Sequence, residues 1–323
     1  MKIIPIFLPY AGCKHRCVFC DQLGATGEAK RPSPEEIKNK IANYLKTSKE
    51  YEVAFYGGTF TGLPKEVQKI YLKTVSEWFG KGIKFIRVST RPDEIDEGMA
   101  DFLKFHGVEI VEIGAQSMFD DVLEASKRGH TSEDIKNAIK ILKDRGFTVG
   151  VHLMVGLPGS SREKDLRSVE ILSELGLDIA RIHPTLVFKG AELYKMMKRG
   201  KYKPLNIEEA INRSSEMTII LEERGVRVVR LGLYIPENQR KNIAAGPYHP
   251  SFGDIVRSRI VRKLVKNLSI KRIEVDKNHE SWVYGHGNRE FFRKIGVEIS
   301  KGNKLLFDEL DYEKALRVYR SRS

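Results

Sequence analysis

The sequence has no long hydrophobic run. A helix that crosses a bilayer needs about 20 consecutive apolar residues, and no stretch of the 323 residues approaches that length. The apolar start of the chain, residues 3–8, is interrupted by Pro5 and is shorter than the roughly 7–15 residues of a signal-peptide core. We therefore interpret residues 3–8 as a buried strand, and we expect a cytoplasmic protein without a membrane partner.

Cysteine is also scarce. The chain has three, Cys13, Cys17 and Cys20, and an odd number in a reducing compartment argues against a scaffold of disulfides. The chain is long enough to bury a large core, and its 41% hydrophobic and 31% charged residues are typical of a globular protein. This composition excludes a disordered or low-complexity chain.

Acidic residues are in short supply only in the last two fifths of the chain. Residues 1–188 hold 27 basic and 26 acidic side chains, whereas residues 189–323 hold 29 and 17, a net charge of +12. This asymmetry predicts an acidic partner for the C-terminal part, nucleic acid first. A solvated basic surface, common in proteins from hot environments, is the alternative.

Strand-like and helix-like segments alternate through the first 188 residues. The strand patterns cover residues 3–8, 52–56, 85–90, 108–113, 148–155 and 179–188, and the helix patterns cover residues 34–46, 64–79, 94–105, 132–145 and 161–175. This alternation predicts parallel strands with crossover helices, either a doubly wound sheet or an incomplete (β/α) barrel. Further patterns predict a helix at 207–224, a strand at 226–231 and an amphipathic helix at 255–268. We place a domain boundary near residue 240, between residues 1–240 and a basic extension at 241–323.

The three cysteines fall within eight residues, directly after the first predicted strand. Thiolates this close together can surround one soft metal centre. A structural zinc site needs four ligands, and His15 would have to serve as the fourth. Three cysteines can instead hold an iron–sulfur cube in which one iron has no protein ligand.

The Cys-x3-Cys-x2-Cys spacing, with the aromatic Phe19 before the last cysteine, resembles the signature of the radical S-adenosylmethionine (SAM) superfamily. In that family the open iron binds SAM, and one electron cleaves SAM to a 5′-deoxyadenosyl radical. Later motifs are similar to the radical SAM domain of the Elongator catalytic subunit: YGGTFT at 56–61, EIGAQS at 112–117 and HPTLVFKG at 183–190. The resemblance covers about residues 3–235 and implies an incomplete (β/α)6 TIM-like barrel of the radical SAM type. We expect a small basic α+β extension to follow it.

Differences from related families reduce the number of activities that we expect. We find no acetyl-CoA pyrophosphate loop after residue 235, so we expect a stand-alone protein without the acetyl transfer of the Elongator subunit. The signature of oxygen-independent coproporphyrinogen oxidase continues with a cysteine two residues after the third, where this chain has Gln22.

The resemblance also implies which residues bind the cofactors, a 4Fe–4S cluster and SAM. Besides the cluster ligands Cys13, Cys17 and Cys20, it assigns SAM contacts to Phe19, Gly57, Gly58, Thr59, Ser89, Arg91, Gln116, Arg128 and His152. A barrel-interior histidine is the alternative for His152, and a surface arginine is the alternative for Arg128. The family also implies an electron donor of the ferredoxin or flavodoxin type.

Two classes of substrate remain open at this point. The first is RNA, tRNA in particular, held by the basic tail; the stretch 257–272 has seven basic residues and no acid, and we expect Arg257, Arg259, Arg262 and Lys263 to contact phosphates. The second is a small anionic metabolite or a protein. A non-catalytic iron–sulfur protein that binds RNA is a third, more distant hypothesis.

The tail also contains aromatic and histidine residues with two interpretations each. Trp282 and Tyr284 could stack on bases or pack in a small core. His279 and His286 are weak candidates for metal ligands. Asn288 is interpreted as the N-cap of a helix that begins at Arg289.

Overall fold

Parallel strands and crossover helices form the larger part of the fold, which a computed structural model describes for residues 1–322. In chain order the strands are β1 (Lys2–Leu8), β2 (Tyr51–Gly57), β3 (Ile83–Thr90), β4 (Val108–Gln116), β5 (Thr148–Val155), β6 (Ile179–Pro184), β7 (Val187–Phe188), β8 (Arg227–Leu231), β9 (Ile243–Ala245), β10 (Arg272–Val275), β11 (Glu298–Lys301), β12 (Leu306–Phe307) and β13 (Leu310–Asp311). The helices are α1 (Gln22–Thr26), α2 (Pro34–Leu45), α3 (Lys65–Ser76), α4 (Glu97–Phe105), α5 (Asp120–Ala125), α6 (Ser132–Asp144), α7 (Arg162–Ser173), α8 (Glu192–Lys198), α9 (Ile207–Glu223), α10 (Phe252–Leu268), α11 (Glu280–Tyr284), α12 (Asn288–Lys294) and α13 (Tyr312–Ser321).

Side-chain caps explain where several helices begin. Ser33 and Glu36 form a capping box at the start of α2, and Thr131 and Asp134 form another at the start of α6. In each box the hydroxyl accepts from a free backbone N–H of the first turn, and the carboxylate accepts from the N–H of the capping residue. The two helix starts are therefore fixed by residues that the sequence shows directly.

Seven strands of the described residues form one parallel sheet in the order β1-β2-β3-β4-β5-β6-β8. The sheet curls into a half-barrel, which confirms the incomplete TIM-like barrel, and the strand predicted at 226–231 joins the six predicted barrel strands as β8. Since all seven strands run the same way, their carboxyl ends lie at one end of the barrel. The main hydrophobic core fills the space between the sheet and its helices.

The predicted strand at 179–188 is in fact two strands. β6 ends at Pro184, which has no N–H for a sheet hydrogen bond. The chain then turns, and β7 pairs antiparallel with β9 rather than continuing in the barrel sheet. The residues after β6 therefore leave the barrel wall and pack near the cysteine loop.

The C-terminal part is a small α+β unit. Its sheet has the strand order β11-β10-β12-β13, and α10 packs along α9. Val256, Ile260 and Leu264 are fully buried, as the predicted amphipathic pattern requires. The core of this part also takes in Ala210 and Ile211 of α9, a helix that contributes to the barrel core as well. No helix within residues 1–322 is long and apolar enough to span a membrane.

Candidate active site

The cysteine loop is fastened to the end of β2 by close backbone contact. The N–H of Thr59 donates to the carbonyl oxygen of Ala11 at 2.6 Å. A Cβ at Gly58 would come within 2.1 Å of that same oxygen, and a Cβ at Gly12 would come within 2.2 Å of the carbonyl oxygen of Thr59. Only glycine leaves room for this approach. The missing side chain at Gly58 therefore allows two loops of the protein to pack against each other.

Buried Val18 fixes the middle of the cysteine loop. Its N–H donates to the carbonyl oxygen of Ser126 at 3.1 Å, and its own carbonyl accepts from the N–H of Leu193 at 2.7 Å. The loop is therefore attached both to the segment after α5 and to the start of α8. This attachment holds the cysteines in place over the carboxyl ends of the strands.

The three thiols face one cavity of about 370 Å³. Cys13 is exposed, Cys17 is buried and Cys20 lies between these extremes. Burial, together with the neighbouring Cys17 and Cys13, raises the pKa of the Cys20 thiol to about 12. Three thiols that line one cavity are a donor set that fits a soft metal centre. Within residues 1–322, no three His, Cys, Asp or Glu side chains already stand in metal-ligand geometry.

All twelve residues that the sequence assigned to the cofactors line this cavity. They are Cys13, Cys17, Cys20, Phe19, Gly57, Gly58, Thr59, Ser89, Arg91, Gln116, Arg128 and His152. They come from the cysteine loop, from strands β2 to β5 and the residues directly after β2 and β3, and from the segment after α5. The structure thus brings the set together, while the role of each residue stays a prediction.

Arg128 is buried rather than part of a surface helix. Its Nη1 donates to the Sγ of Cys17 at 3.0 Å, its Nη2 to the carbonyl oxygen of Gly114 at 2.6 Å and its Nε to His130 at 3.1 Å. Burial, followed by the charges of Arg128 and Arg91, lowers the pKa of His130 to about 4. His130 is therefore neutral at pH 7 and accepts the hydrogen bond from Arg128.

Arg91 has a buried donor without an acceptor. Its Nε and Nη2 form a bidentate pair with Asp93, both at 2.9 Å. Its Nη1 has no hydrogen-bond partner among the described residues although Arg91 lines the cavity. A buried unpaired donor carries a free-energy cost that an anionic group of a ligand would remove.

Gln116 ends β4 in a strained conformation. Its φ of +68° lies in the left-handed region, which side chains other than glycine rarely adopt. The pairing of β4 with β5 shifts register between Ile113 and Gln116. Backbone strain of this kind clusters at functional sites, and here it accompanies a side chain that lines the cavity.

A charged layer closes the floor of the cavity, and sequence reasoning missed most of it. Glu112 of β4, which is 1% exposed, accepts from Arg87 of β3 at 2.9 Å and from Arg181 of β6 at 2.7 Å. His152 of β5 lies 3.5 Å from its other oxygen. Burial disfavours the carboxylate, but His152 and the two arginines outweigh it and hold the pKa of Glu112 well below its usual range. The sequence signal that could have indicated this layer is Glu112, a charged residue at an inward-facing position of a mostly apolar strand.

His183 lies next to this layer, with its ring 5.8 Å from that of His152. Burial, followed by the neighbouring His152, Arg181 and Arg230, lowers the pKa of His183 well below its ordinary value. Its Nε2 is buried without a hydrogen-bond partner among the described residues. His183 is therefore a neutral imidazole on the cavity wall, which leaves one ring nitrogen available to a ligand.

Two further polar residues sit at the rim of the cavity. The side chain of Gln22 accepts from the N–H of Tyr10 at 2.6 Å and donates to the carbonyl oxygen of Gly57, so it ties the cysteine loop to β2. His15 packs on Gly129, where a Cβ would come within 2.6 Å of its ring. His15 also borders an outer groove on the far side of the loop.

The cations of α10 are paired within the fold, which corrects the expectation that they contact phosphates. Arg257 donates to Glu222 at 2.7 Å, Arg259 to Glu208 at 2.8 Å and Lys263 to Glu216 at 3.2 Å. Arg262 donates to the Oδ1 of Asn288 at 2.9 Å and lies over the ring of Phe291. The acids that pair with Arg257, Arg259 and Lys263 lie on α9, far from the run in sequence.

Packing also bears on the other predictions for the basic extension, residues 241–323. Trp282 lies under Arg257 and beside Tyr312, which favours a core role. The predicted N-cap at Asn288 is wrong, because Gly287 takes that position and the buried Asn288 amide donates to the carbonyl oxygens of Ser258 and Trp282. His279 pairs with Asp276 at 2.6 Å, and His286 is exposed. Neither histidine belongs to a metal-ligand set within residues 1–322.

Comparison with known proteins agrees with this geometry. Residues 7–172 match the radical SAM superfamily, and residues 177–262 match the radical SAM C-terminal domain. The chain is 33% identical over 216 residues to the uncharacterized protein MJ0486 of Methanocaldococcus jannaschii, covering 62% of this chain and 66% of that protein. It is 37% identical over 191 residues to the tRNA uridine(34) acetyltransferase of the same organism, covering 58% of this chain and 35% of that protein.

A solved structure is also similar. Elp3 of Methanocaldococcus infernus, with residues 1–46 deleted, aligns with a TM-score of 0.66 and 26% identity over 81% of this chain and 63% of that one. The chain spans just under two thirds of MJ0486 and about a third of the acetyltransferase. The predicted family and fold are confirmed, since the matched region covers half of the chain and includes all three cysteines. The chain belongs to the radical SAM superfamily, as a homologue of the Elp3 proteins.

Proposed function

We propose that this protein is a radical SAM enzyme that modifies RNA, with tRNA as the first candidate substrate. The observation that carries the enzymatic part is the cavity of about 370 Å³, which brings three thiols together with polar residues from neighbouring strand ends. Active sites of barrel folds lie at this end of the strands. Membership of the superfamily supports the same chemistry.

Cys13, Cys17 and Cys20 would hold a 4Fe–4S cluster, because three thiols that share one cavity are its usual protein ligands. When bound, such a cluster supplies the electron that cleaves SAM to a 5′-deoxyadenosyl radical. Arg128 keeps a positive charge beside Cys17. Arg91 has a free buried donor for a carboxylate of SAM. The ion pairs around Glu112 close the floor and limit the entry of water.

An electron donor is one partner that the proposal requires. Cys13, His15 and Arg16 of the cysteine loop are exposed. A reductant of the ferredoxin or flavodoxin type would reach the thiols at this exposed part of the loop.

The RNA part of the proposal is supported by charge and by the relatives. A similar protein is named as a tRNA uridine(34) acetyltransferase. Exposed cations of the C-terminal part have no hydrogen bond or ion pair of their side chains to other described residues: Lys266, Lys271, Arg272, Lys277 and Arg293. These cations, rather than those of α10 that are paired with α9, are available to phosphates.

The test uses protein reconstituted with iron and sulfide under anaerobic conditions, SAM and dithionite. We expect 5′-deoxyadenosine to form, its rate to rise when tRNA is added, and a nucleoside of changed mass to appear in the digested tRNA. The Cys17→Ala variant is the matched control and should form no 5′-deoxyadenosine. Cleavage of SAM without any response to tRNA would favour a small anionic metabolite or a protein as substrate. Binding of tRNA without SAM cleavage would favour a non-catalytic RNA-binding protein.

A further inference from the structure

Two arginines lie side by side at the open edge of the half-barrel. β8 is the last strand of the sheet, and its Arg230 pairs in register with Arg181 of β6. Register partners on neighbouring strands point to the same face of a sheet. The register shifts between Ala180 and Arg181, and this irregularity brings Arg230 beside Arg181. Arg230 therefore lies on the same face of the sheet as Arg181, where it is exposed at the open edge.

The protein supplies no negative charge for Arg230. Glu112 is already shared by Arg87, Arg181 and His152 at 2.9, 2.7 and 3.5 Å. Arg181 has a second acceptor in the hydroxyl of Tyr56 at 2.7 Å. The Arg230 side chain is exposed at this edge of the sheet and has no hydrogen bond or ion pair with any described residue. Partial burial, followed by the charge of Arg181, lowers its pKa. Like charges side by side on a sheet are destabilising unless something compensates for them.

An apolar wall lies near the same edge of the barrel, beside His183, whose pKa is lowered in part by the charge of Arg230. A cavity of about 180 Å³ adjoins the thiol cavity, and its apolar lining comes from Phe19, Met154, Leu186, Phe188 and Leu233. Leu233 follows Arg230 by three residues, so the wall continues from the end of β8. The neutral ring of His183 lines both cavities. The cavity also has polar lining residues, Asp21, Gln22 and Gln116 among them. An apolar wall with polar groups beside it suits a ring that also forms hydrogen bonds.

We propose that Arg230 binds the anionic group of the substrate, a phosphate next to the target nucleotide, while the base of that nucleotide lies on the apolar wall beside His183. This inference rests on the proposed RNA substrate. It goes further in assigning the recognition of one phosphate to the edge strand of the barrel rather than to the basic C-terminal part. A target base in this position is flipped out of its stack.

The structure offers a matched control on the same strand. Arg227 is exposed and has no side-chain partner among the described residues, but it stands at the amino end of β8 and pairs in register with Ile179. The carboxyl ends of the strands carry the site, so Arg227 lies at the opposite end of the barrel. Arg230→Met and Arg227→Met remove the same charge from the two ends of one strand.

The experiment measures binding of uridine 5′-monophosphate and of uridine to the reconstituted protein with SAM present. Uridine is the probe because, unlike adenosine, it does not resemble SAM. We expect the monophosphate to bind the parent protein more tightly than uridine. Arg230→Met should weaken monophosphate binding about tenfold and leave uridine binding unchanged, since only the charge-assisted contact is lost. Arg227→Met should change neither, and Arg230→Lys should restore part of the difference.

Several results would overturn the inference: no difference between the two probes in the parent protein, equal loss of both probes in Arg230→Met, or the same loss in Arg227→Met. Unchanged thermal unfolding of Arg230→Met excludes a folding defect as the cause. A parallel titration with tRNA separates this inference from the proposed function. If tRNA does not bind but the monophosphate still depends on Arg230, the RNA substrate is wrong and the anion site stands.

Discussion

Arg128 donates a hydrogen bond to the sulfur of Cys17 across 111 residues of sequence, at 3.0 Å. The same guanidinium reaches the end of β4 through the carbonyl oxygen of Gly114. The side chain therefore connects the thiol loop to the strand that carries Gln116. Hydrogen bonds from a charged donor are worth about 1.5–3 kcal/mol each, so this connection is a strong one.

Replacement of Arg128 by Met should weaken SAM binding by about tenfold or more, because the variant loses a cation inside the cavity. The iron content should stay the same, since Arg128 is not a ligand. Equilibrium binding of SAM to the reconstituted protein measures the first effect, and iron analysis measures the second. Gln116→Ala should behave in the same way. If both variants bind SAM like the parent, the assignment of these residues is wrong.

Replacement of any one of Cys13, Cys17 and Cys20 by Ala should abolish the iron–sulfur cluster. The parent protein should hold about four irons per chain after anaerobic reconstitution. His15→Ala is the matched control from the same loop, and it should keep the full iron content because three cysteines suffice. Iron and sulfide analysis with visible absorption reports the result. Stoichiometric zinc that is lost in His15→Ala would instead indicate a four-ligand zinc site.

The stability of the protein should fall as the pH decreases from 6.5 to 4. His130 has a pKa of about 4 in the folded chain, below its ordinary 6.5, so between these values only the unfolded chain takes up the proton. Uptake by the unfolded state favours unfolding, at a cost of up to about 3 kcal/mol for this group. The lowered pKa of His183 acts in the same direction.

Denaturant unfolding of apo-protein across this pH range measures the effect. His130→Gln keeps an acceptor for Arg128 but cannot be protonated, so its stability should depend less steeply on pH. The exposed His286 provides the control, and His286→Asn should follow the parent. If the stability of His130→Gln depends on pH as steeply as that of the parent protein, His130 is not neutral in the folded state.

Binding of tRNA should depend on salt through the exposed cations of the C-terminal part. Lys271→Gln and Arg272→Gln should each reduce the slope of log affinity against log salt by about 1, if each contacts one phosphate. Arg259→Gln should leave the slope unchanged, because Arg259 is paired with Glu208 and Asn212. Filter-binding titrations at several salt concentrations provide the slopes. If only Arg259→Gln reduces the slope of log affinity against log salt, the phosphate contacts are made by α10 instead.

Much of the fold follows from local sequence. Apolar periodicity and caps such as Ser33 and Thr131 mark the barrel elements because strands and helices bury one face each. The residues that line the cavity could be named in advance because their motifs resemble those of the radical SAM superfamily, while their roles toward the cofactors stay predictions. The strands β10 to β13 are two to four residues long, too short for a periodic signal.

Pairings between side chains that are far apart in sequence could not be predicted from the sequence. Arg181 and Glu112 are separated by 69 residues, and nothing local indicates that they meet inside the barrel. The basic run of α10 shows the same limit. Its charge could be counted, but the acids of α9 that face it were not evident, since charge alone does not specify which helix packs against which.

Helix α9 is shared between two cores. Its Met217 and Ile220 lie in the barrel core, and its Ala210, Ile211 and Ile219 lie in the core of the C-terminal part. Neither core can open without exposing apolar side chains of the same helix to water. We therefore expect the two parts of the chain to unfold as a single cooperative unit, and a ligand that orders the C-terminal part to stabilise the wall of the barrel as well.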